Sequence, residues 1–193
     1  MKDYIKQQIQ KSYEVKQALY EDNTLLTQLE KVVKLSVKLY EGKNKLILAG
    51  NGGSAGDAQH ISAELVGRYK FDRPSLPALA LTTDTSALTA IGNDYGYDKI
   101  FSRQLEGMGQ KGDIFIGIST SGNSLNIIEA FISAKEKGIT TVALTGRDGG
   151  EMVKMADIAL VVPSNSTPRI QESHILIGHI LCDLIEQEIF PRG

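Results

Sequence analysis

The sequence predicts an α/β fold, in which a parallel five-stranded sheet is flanked by helices and preceded by a helical extension. From residue 45 onward, short continuous apolar segments alternate with segments of helical periodicity, a pattern typical of strands buried on both faces of a parallel sheet. The first forty or so residues instead carry apolar positions at helical spacing, without strand-like segments. We therefore expect a single domain, with helices over residues 1–43 and an α/β core over 44–193.

The N-terminal segment is expected to form two helices that separate at Glu21–Thr24, with Asn23 or Thr24 as the cap of the second. Their apolar positions recur every three or four residues, as in Ile5, Ile9, Val15, Leu19, Leu25, Leu29, Val32 and Val33. Such stripes either cover the sheet or pack against another subunit, and the sequence leaves both possibilities open.

The core is expected to contain strands at Leu46–Ala49, Ala78–Leu81, Ile114–Ile118, Thr140–Leu144 and Ile158–Val162. Helices are expected over Ala58–Gly67, Thr85–Gly92, Tyr97–Gly107, Ile127–Lys137 and from about Pro168 to Gln187. Proline suits a first helical turn because its missing N–H would be unpaired there. In such sheets ligands bind at the carboxyl ends of the strands, so the polar turns after the strands form the expected site.

Composition excludes several classes of protein. Hydrophobic residues make up 41% and charged residues 23%, which is typical of a globular protein. The net charge of −2 gives no electrostatic reason to expect nucleic acid or an anionic membrane as a partner. The apolar runs are too short to span a bilayer. One cysteine excludes an intrachain disulfide, and a polar N-terminus lacks a signal sequence, so we expect a cytoplasmic protein.

The segment Ser119–Ser124 is the most informative local feature, because it follows a predicted strand and opens a helix. Its hydroxyl groups, a glycine at 122 and the free N–H groups of a helix start together suit a phosphate monoester. It contains neither a Walker motif nor a dinucleotide fingerprint. A helix cap requires one polar residue rather than six, so we predict phosphate binding here. The turn Asn51–Ser54, after the first strand, is expected to form a second wall of the same site.

Two further groups of polar residues are candidates for acid–base chemistry or metal binding. His60 and Glu64 lie four apart, on one face of a helix, where they can share a metal ion or a proton transfer or form a surface pair. In the last helix, His174 and His179 are about 140° apart around the axis and therefore do not serve one site together. Helix geometry does not choose between them.

Several long motifs, in order, resemble the phosphoheptose isomerase family. They are Gly50–His60, Ala63–Tyr69, Leu81–Ser86, Ala90–Gly96, Gly117–Ser124 and Arg169–His174 with His179. The resemblance implies a single sugar-isomerase (SIS) domain of flavodoxin-like arrangement, a homotetramer with sites at subunit interfaces, and no nucleic-acid or membrane partner. The implied reaction converts sedoheptulose 7-phosphate to D-glycero-D-manno-heptose 7-phosphate through an enediol, for lipopolysaccharide or other surface glycans.

The resemblance also implies residue roles. Glu64 and His179 are the expected acid–base pair, and zinc is expected on His60, Glu64, Gln171 and His179. The expected substrate contacts are Asn51, Gly52, Gly53, Ser54, Arg68, Asn93, Asp94, Ser119, Thr120, Ser121, Ser124 and Gln171. One departure is Pro168, which stands before Arg-Ile-Gln-Glu where family members often carry a small residue or an acid.

The same scaffold also serves proteins of three different kinds. Some relatives are non-catalytic tetramers that bind the bacterial replication initiator, and the segments Arg73–Ala78 and Ile189–Pro191 also resemble that group. The presence of both Glu64 and His179 favours the enzyme. The second kind is an isomerase of a different sugar phosphate. The third is a metabolite-sensing regulator, although no DNA-binding appendage is visible in the sequence.

Overall fold

The computed structural model describes residues 1–191 around one parallel sheet. Its strands are β1 (Leu46–Gly50), β2 (Ala78–Ala80), β3 (Ile114–Ser119), β4 (Thr140–Gly146) and β5 (Ile158–Val162). They lie in the order β2-β1-β3-β4-β5, and every neighbouring pair is parallel. This is the predicted fold, and its strand order reverses at β1 and β3, where sheets of this type bind ligands.

The helices are α1 (Lys2–Glu21), α2 (Asn23–Glu41), α3 (Gly53–Val66), α4 (Thr85–Tyr95), α5 (Ser102–Met108), α6 (Leu125–Glu136), α7 (Gly150–Met155) and α8 (Thr167–Ile189). The helix predicted over Tyr97–Gly107 is divided into a 3₁₀ turn at Tyr97–Lys99 and α5. Helix α7 was not predicted. The predicted cap of α2 was wrong: Asp22 is the N-cap residue, and it accepts hydrogen bonds from the N–H groups of Thr24 and Leu25.

Alternating strand residues fill two apolar layers. Leu46, Leu48, Ile116 and Leu144 pack with α2, α3 and α8 on one face, and Ile47, Phe115 and Ala143 pack with α5 and α6 on the other. Both layers bury side chains completely, as expected for a parallel sheet covered on both sides. Among residues 1–191, no helix is long and apolar enough to cross a membrane.

The two N-terminal helices differ in how they use their apolar stripes. α2 buries six residues, including Val32 at 0% exposure, and so covers the sheet. α1 buries only Leu19 and leaves a row of large apolar side chains exposed, namely Tyr4, Ile5, Ile9 and Tyr13. The question that the sequence left open is therefore settled for α2. On α1, Tyr4, Ile5, Ile9 and Tyr13 are left uncovered by residues 1–191.

Candidate functional site

Three serine hydroxyl groups converge where β3 ends and α6 begins. The Oγ of Ser119 lies 2.8 Å from the Oγ of Ser124 and 3.4 Å from that of Ser121. Ser124 is the N-cap residue of α6, but its side chain makes no capping hydrogen bond. Ser124 therefore does not cap α6 through its side chain. Hydroxyl donors beside a helix N-terminus form a suitable environment for an anion.

Gly122 allows this loop to fold tightly against a neighbouring one. Its φ is +67°, and a Cβ placed there would lie 1.9 Å from the carbonyl oxygen of Gly149. Across the same contact, the N–H of Met152 donates to the carbonyl of Gly122, and that of Glu151 donates to Oδ1 of Asn123. The start of α7 therefore packs against the serine loop and holds it through these two hydrogen bonds, a role that the sequence did not reveal.

Asn51, at the end of β1, is bound to residues on two other elements. Its side chain exchanges two hydrogen bonds of 2.9 Å with the amide of Asn126, which is buried in the first turn of α6. The hydroxyl of Tyr97 also donates to Asn51 Oδ1, at 3.1 Å. Most of the hydrogen-bonding capacity of Asn51 is thus used within the protein. Its contacts join the turn after β1 to the serine loop after β3.

A second polar group lies between α3 and α8. His60 Nε2 is 3.1 Å from Glu64 Oε1 and 3.2 Å from Nε2 of His179. One ligand atom from each of the three residues lies within 4.8 Å of the others. Glu64 is partly shielded, with 24% of its side chain exposed, whereas 48% of the His60 side chain is exposed. Two histidine nitrogens and a carboxylate oxygen that converge in this way match the ligands that zinc prefers.

Gln171 has a different neighbour from these three residues. Its Nε2 lies 2.6 Å from the position that a Cβ on Gly53 would occupy, so the side chain covers the first turn of α3. His60 lies seven residues after Gly53, about 10 Å further along the axis of α3. The structure thus brings together three of the four expected zinc ligands and places Gln171 toward the turn after β1.

The other predicted contacts lie mostly at the surface. Asn93 and Asp94, in the last turn of α4, share a 2.8 Å hydrogen bond with each other and are exposed. Arg68 is exposed in the segment after α3, while Ser54 is buried and Thr120 is half-buried. Within residues 1–191, the side chains of Asn93 and Asp94 are hydrogen-bonded to each other and not to the serine loop or the histidine–carboxylate group.

The structure separates the two histidines of α8. His174 is fully buried, and its Nε2 donates to the carbonyl oxygen of Thr145 at 3.0 Å. Burial lowers the pKa of His174 to about 4, although the bond to Thr145 opposes this effect. His174 therefore belongs to the core and is neutral at pH 7, whereas His179 meets His60.

Asp57, one turn before His60, is also distinctive. Its Oδ2 is buried without a hydrogen-bond partner, and burial raises the pKa of the carboxyl group to about 6, against the opposing effect of His60. In the sequence, an isolated aspartate near a helix start gives no sign of such an environment. Its partial burial, which depends on how α3 packs, was not visible in the sequence.

Comparisons with known proteins agree with one another. A family model described as "SIS domain" matches residues 9–146. The phosphoheptose isomerase of Sulfurimonas denitrificans is 78% identical over 193 residues, which are 100% of this chain and 99% of that protein. The phosphoheptose isomerase of Aneurinibacillus thermoaerophilus is 60% identical over 190 residues, which are 98% of this chain and 96% of that protein. Among solved structures, phosphoheptose isomerase GmhA from Neisseria gonorrhoeae has a TM-score of 0.91 at 44% identity, covering 96% of this chain and 98% of that one.

Proposed function

The chain belongs to the phosphoheptose isomerase family of SIS-domain proteins and is an isomerase, and we propose that it interconverts sedoheptulose 7-phosphate and D-glycero-D-manno-heptose 7-phosphate. The product supplies heptose precursors for lipopolysaccharide or other surface glycans. Phosphorylated sugars of this kind are made and used in the cytoplasm, which is the compartment we assign.

The observation that carries the proposal is the convergence of His60, Glu64 and His179. A carboxylate and an imidazole at this separation can take a proton from one carbon and return one to its neighbour. The hydroxyl groups of Ser119, Ser121 and Ser124 supply a separate anion site for the phosphate. Binding energy from the phosphate end helps to orient the reacting carbons at the other end.

The proposed reaction moves one proton between adjacent carbons. After the sugar ring opens, a base removes the proton from the carbon beside the carbonyl group, the electron pair forms the carbon–carbon double bond, and the carbonyl oxygen takes up a proton to give the enediol. An acid then returns a proton to the neighbouring carbon, while the hydroxyl group on the first carbon loses its proton and becomes the new carbonyl. We assign these transfers to Glu64 and His179, with no net consumption of either group.

Zinc is the metal that we propose for this site, since its three ligand atoms fit the ion. His60, Glu64 and His179 would hold it, with Gln171 as a fourth ligand only if its side chain turned from Gly53 toward His60. The bound ion would polarise the carbonyl group and the adjacent hydroxyl. A carboxylate or imidazole held by zinc is a weaker free base. Zinc binding and proton transfer therefore compete for Glu64 and His179.

A homotetramer is part of the same proposal, and the uncovered stripe on α1 supports it. The exposed fractions of Ile9 and Tyr13 are 65% and 64%, and contiguous apolar patches of this kind mark association sites. Arg68, Asn93 and Asp94, which are exposed in this chain, would then contact substrate at an interface between subunits.

The first experiment follows the conversion of sedoheptulose 7-phosphate by proton NMR, with and without a chelator. We expect signals of the aldose to appear with the zinc-supplied protein and to be lost on chelation. No conversion by folded, zinc-supplied protein would reject the proposed reaction, and full turnover in chelator would reject the metal.

The second experiment tests the acid–base assignment with Glu64→Gln. We expect the fold to be retained and turnover to fall by about 10²-fold or more, as is typical of a lost acid–base group. Glu30→Gln is the matched control, because Glu30 also pairs with a residue four positions away on a helix, Lys34. Glu30 lies on α2 and is not part of the candidate site. Near-normal turnover in Glu64→Gln would exclude Glu64 from proton transfer.

The third experiment tests the tetramer by light scattering coupled to size-exclusion chromatography. We expect Ile9→Glu to dissociate the assembly, because a charge would have to be buried in an apolar contact. Gln7→Glu lies on the opposite side of α1 and is expected to leave the assembly intact. A tetramer that persists in Ile9→Glu, or a monomeric wild type, would contradict the assignment of this stripe.

A further inference from the structure

A buried ion pair lies beside the candidate acid–base group, and the proposed reaction gives it no role. Arg73 Nε is 3.0 Å from Glu186 Oε2, with 2% of the arginine side chain and none of the glutamate side chain exposed. Arg73 belongs to the segment between α3 and β2, and Glu186 lies on α8. The pair therefore connects the two helices that carry Glu64 and His179.

Arg73 closes the C-terminal end of α3. Its Nη2 donates to the carbonyl oxygen of Glu64 at 2.9 Å, and its Nη1 donates to those of Leu65 at 2.7 Å and Gly67 at 3.3 Å. The last carbonyl groups of a helix have no partner within the helix, and a cation there is favoured by the helix dipole. α3 has no basic residue of its own in its last turn. Arg73 therefore fixes the backbone position from which the Glu64 side chain extends.

Glu186 fixes the other side of the group through the segment after α3. Its carboxylate accepts hydrogen bonds from the backbone N–H groups of Tyr69, at 2.9 Å, and Lys70, at 2.8 Å. The Tyr69 ring, held at this backbone position, stacks on the imidazole of His179 with centroids 5.8 Å apart and an interplanar angle of 30°. His179 and Glu186 are seven residues apart, so they lie on the same side of α8.

Stability alone is a weak reason for such a pair. Removing two charges from water offsets most of their attraction, and well-packed apolar residues often serve the fold equally well. The hydrogen bonds of this pair instead fix geometry, since the guanidinium binds three carbonyl groups at the helix end and the carboxylate binds two N–H groups.

We propose that Arg73, Glu186 and Tyr69 are positioning residues that set the placement of Glu64 relative to His179. Arg73 acts through the end of α3, and Glu186 acts through the Tyr69 ring that packs on His179. This inference rests on the proposed acid–base role of Glu64 and His179. Misplacing reacting groups by about 1 Å can reduce a rate by about 10²-fold, and residues that orient metal ligands commonly change affinity or activity by about 10- to 100-fold.

The chain offers a matched control in a second buried ion pair, which lies before β1 and β3. Asp113 has 0% side-chain exposure, pairs with Lys45 Nζ at 2.7 Å, and accepts from the backbone N–H groups of Lys45 and Gln110. Glu186→Gln and Asp113→Asn thus remove the same kind of buried charge, with similar expected losses of stability. Asp113 holds the backbone before β1 and β3, whereas Glu186 holds the backbone after α3.

The first test compares these two variants at a temperature where both are folded. We expect Glu186→Gln to lower kcat by about 10- to 100-fold while KM changes by less than about threefold, and Asp113→Asn to leave both within about twofold. Equal losses in the two variants would overturn the proposal, because they would reflect destabilisation alone. Arg73→Lys is also expected to lower kcat, although it keeps the positive charge. An ammonium group lacks the planar fork that binds several carbonyl groups at once.

The second test does not depend on turnover, and its Tyr69 variants keep the ion pair. In metal-free protein, the imidazole signals of the three histidines are followed by NMR. We expect Tyr69→Leu and Glu186→Gln to displace the His179 signal, which loses the ring current of Tyr69, and Tyr69→Phe to preserve it. An unchanged His179 signal in Tyr69→Leu would overturn the proposal. A displaced signal in a protein without isomerase activity would uphold the positioning and reject the reaction.

Discussion

The buried His174 makes the stability of this protein depend on pH in a predictable direction. In the unfolded chain its pKa is near 6.5, whereas burial lowers the pKa to about 4 in the folded state. Folding therefore excludes a proton, so the stabilising contribution is complete above pH 6.5 and is lost as the pH falls toward 4. From these two pKa values, acidification from pH 7 to pH 5 removes about 2 kcal/mol.

Asp57 acts in the opposite direction over the same range. Its pKa is raised by burial from 3.8 to about 6, so the folded state binds a proton more tightly than the unfolded chain. Protonation of Asp57 between pH 7 and pH 5 therefore returns about 1 kcal/mol of stability. The wild-type protein is expected to hide about half of the effect of His174, because the two contributions partly cancel.

Substitutions that remove one titration at a time separate the two effects. His174→Gln retains an N–H donor for the Thr145 carbonyl but does not titrate, and Asp57→Asn removes the opposing group. The free energy of unfolding is measured by urea denaturation at pH 5, 6 and 7, in chelator and at one protein concentration. Relative to wild type, Asp57→Asn should lose about 1 kcal/mol more between pH 7 and pH 5, and His174→Gln about 2 kcal/mol less. The same loss in His174→Gln as in wild type would refute the reasoning.

Three further outcomes are expected. Gly122→Ala should destabilise the protein by at least about 2 kcal/mol in urea denaturation, because it combines a left-handed backbone with a clash against Gly149. Gly56→Ala, where a Cβ meets nothing within 4 Å, should instead stabilise α3 by about 0.5–1 kcal/mol in the same assay, and a loss there would contradict the free space seen. Ser124→Ala should weaken inhibition by inorganic phosphate about tenfold in the isomerase assay, since it removes one hydroxyl from the serine cluster, whereas an unchanged inhibition constant would place the phosphate elsewhere.

The fold could be predicted from the sequence because its signals are local. A strand buried on both faces is a continuous apolar run, and β5 occupies the residues predicted for it, Ile158–Val162. The errors fell where local signals compete. Asp22 was not identified as the cap because Asn23 and Thr24 are equally good capping residues, and only backbone conformation distinguishes the three. α7 was missed because a helix of 6 residues is too short to show a period.

The candidate site was predicted in part for the same reason. The serine loop combines residue type and position within one short segment, so phosphate binding could be predicted there from the sequence. The partners Asn126 and Tyr97 were missed, since they meet Asn51 only across 75 and 46 residues of chain. Arg73 and Glu186, which are 113 residues apart, gave no local signal either.

Sequence by itself determined the elements, the direction of the sheet and the polar turns at the strand ends, because periodicity and turn chemistry act over a few residues. Tertiary structure decided which of the histidines on α8 enters the core. His174 and His179 have similar apolar neighbours in sequence, but only packing of α8 on β4 buries His174, and only its contact with α3 brings His179 to His60. Contacts between distant segments depend on how whole helices pack, and that information is distributed over the entire chain.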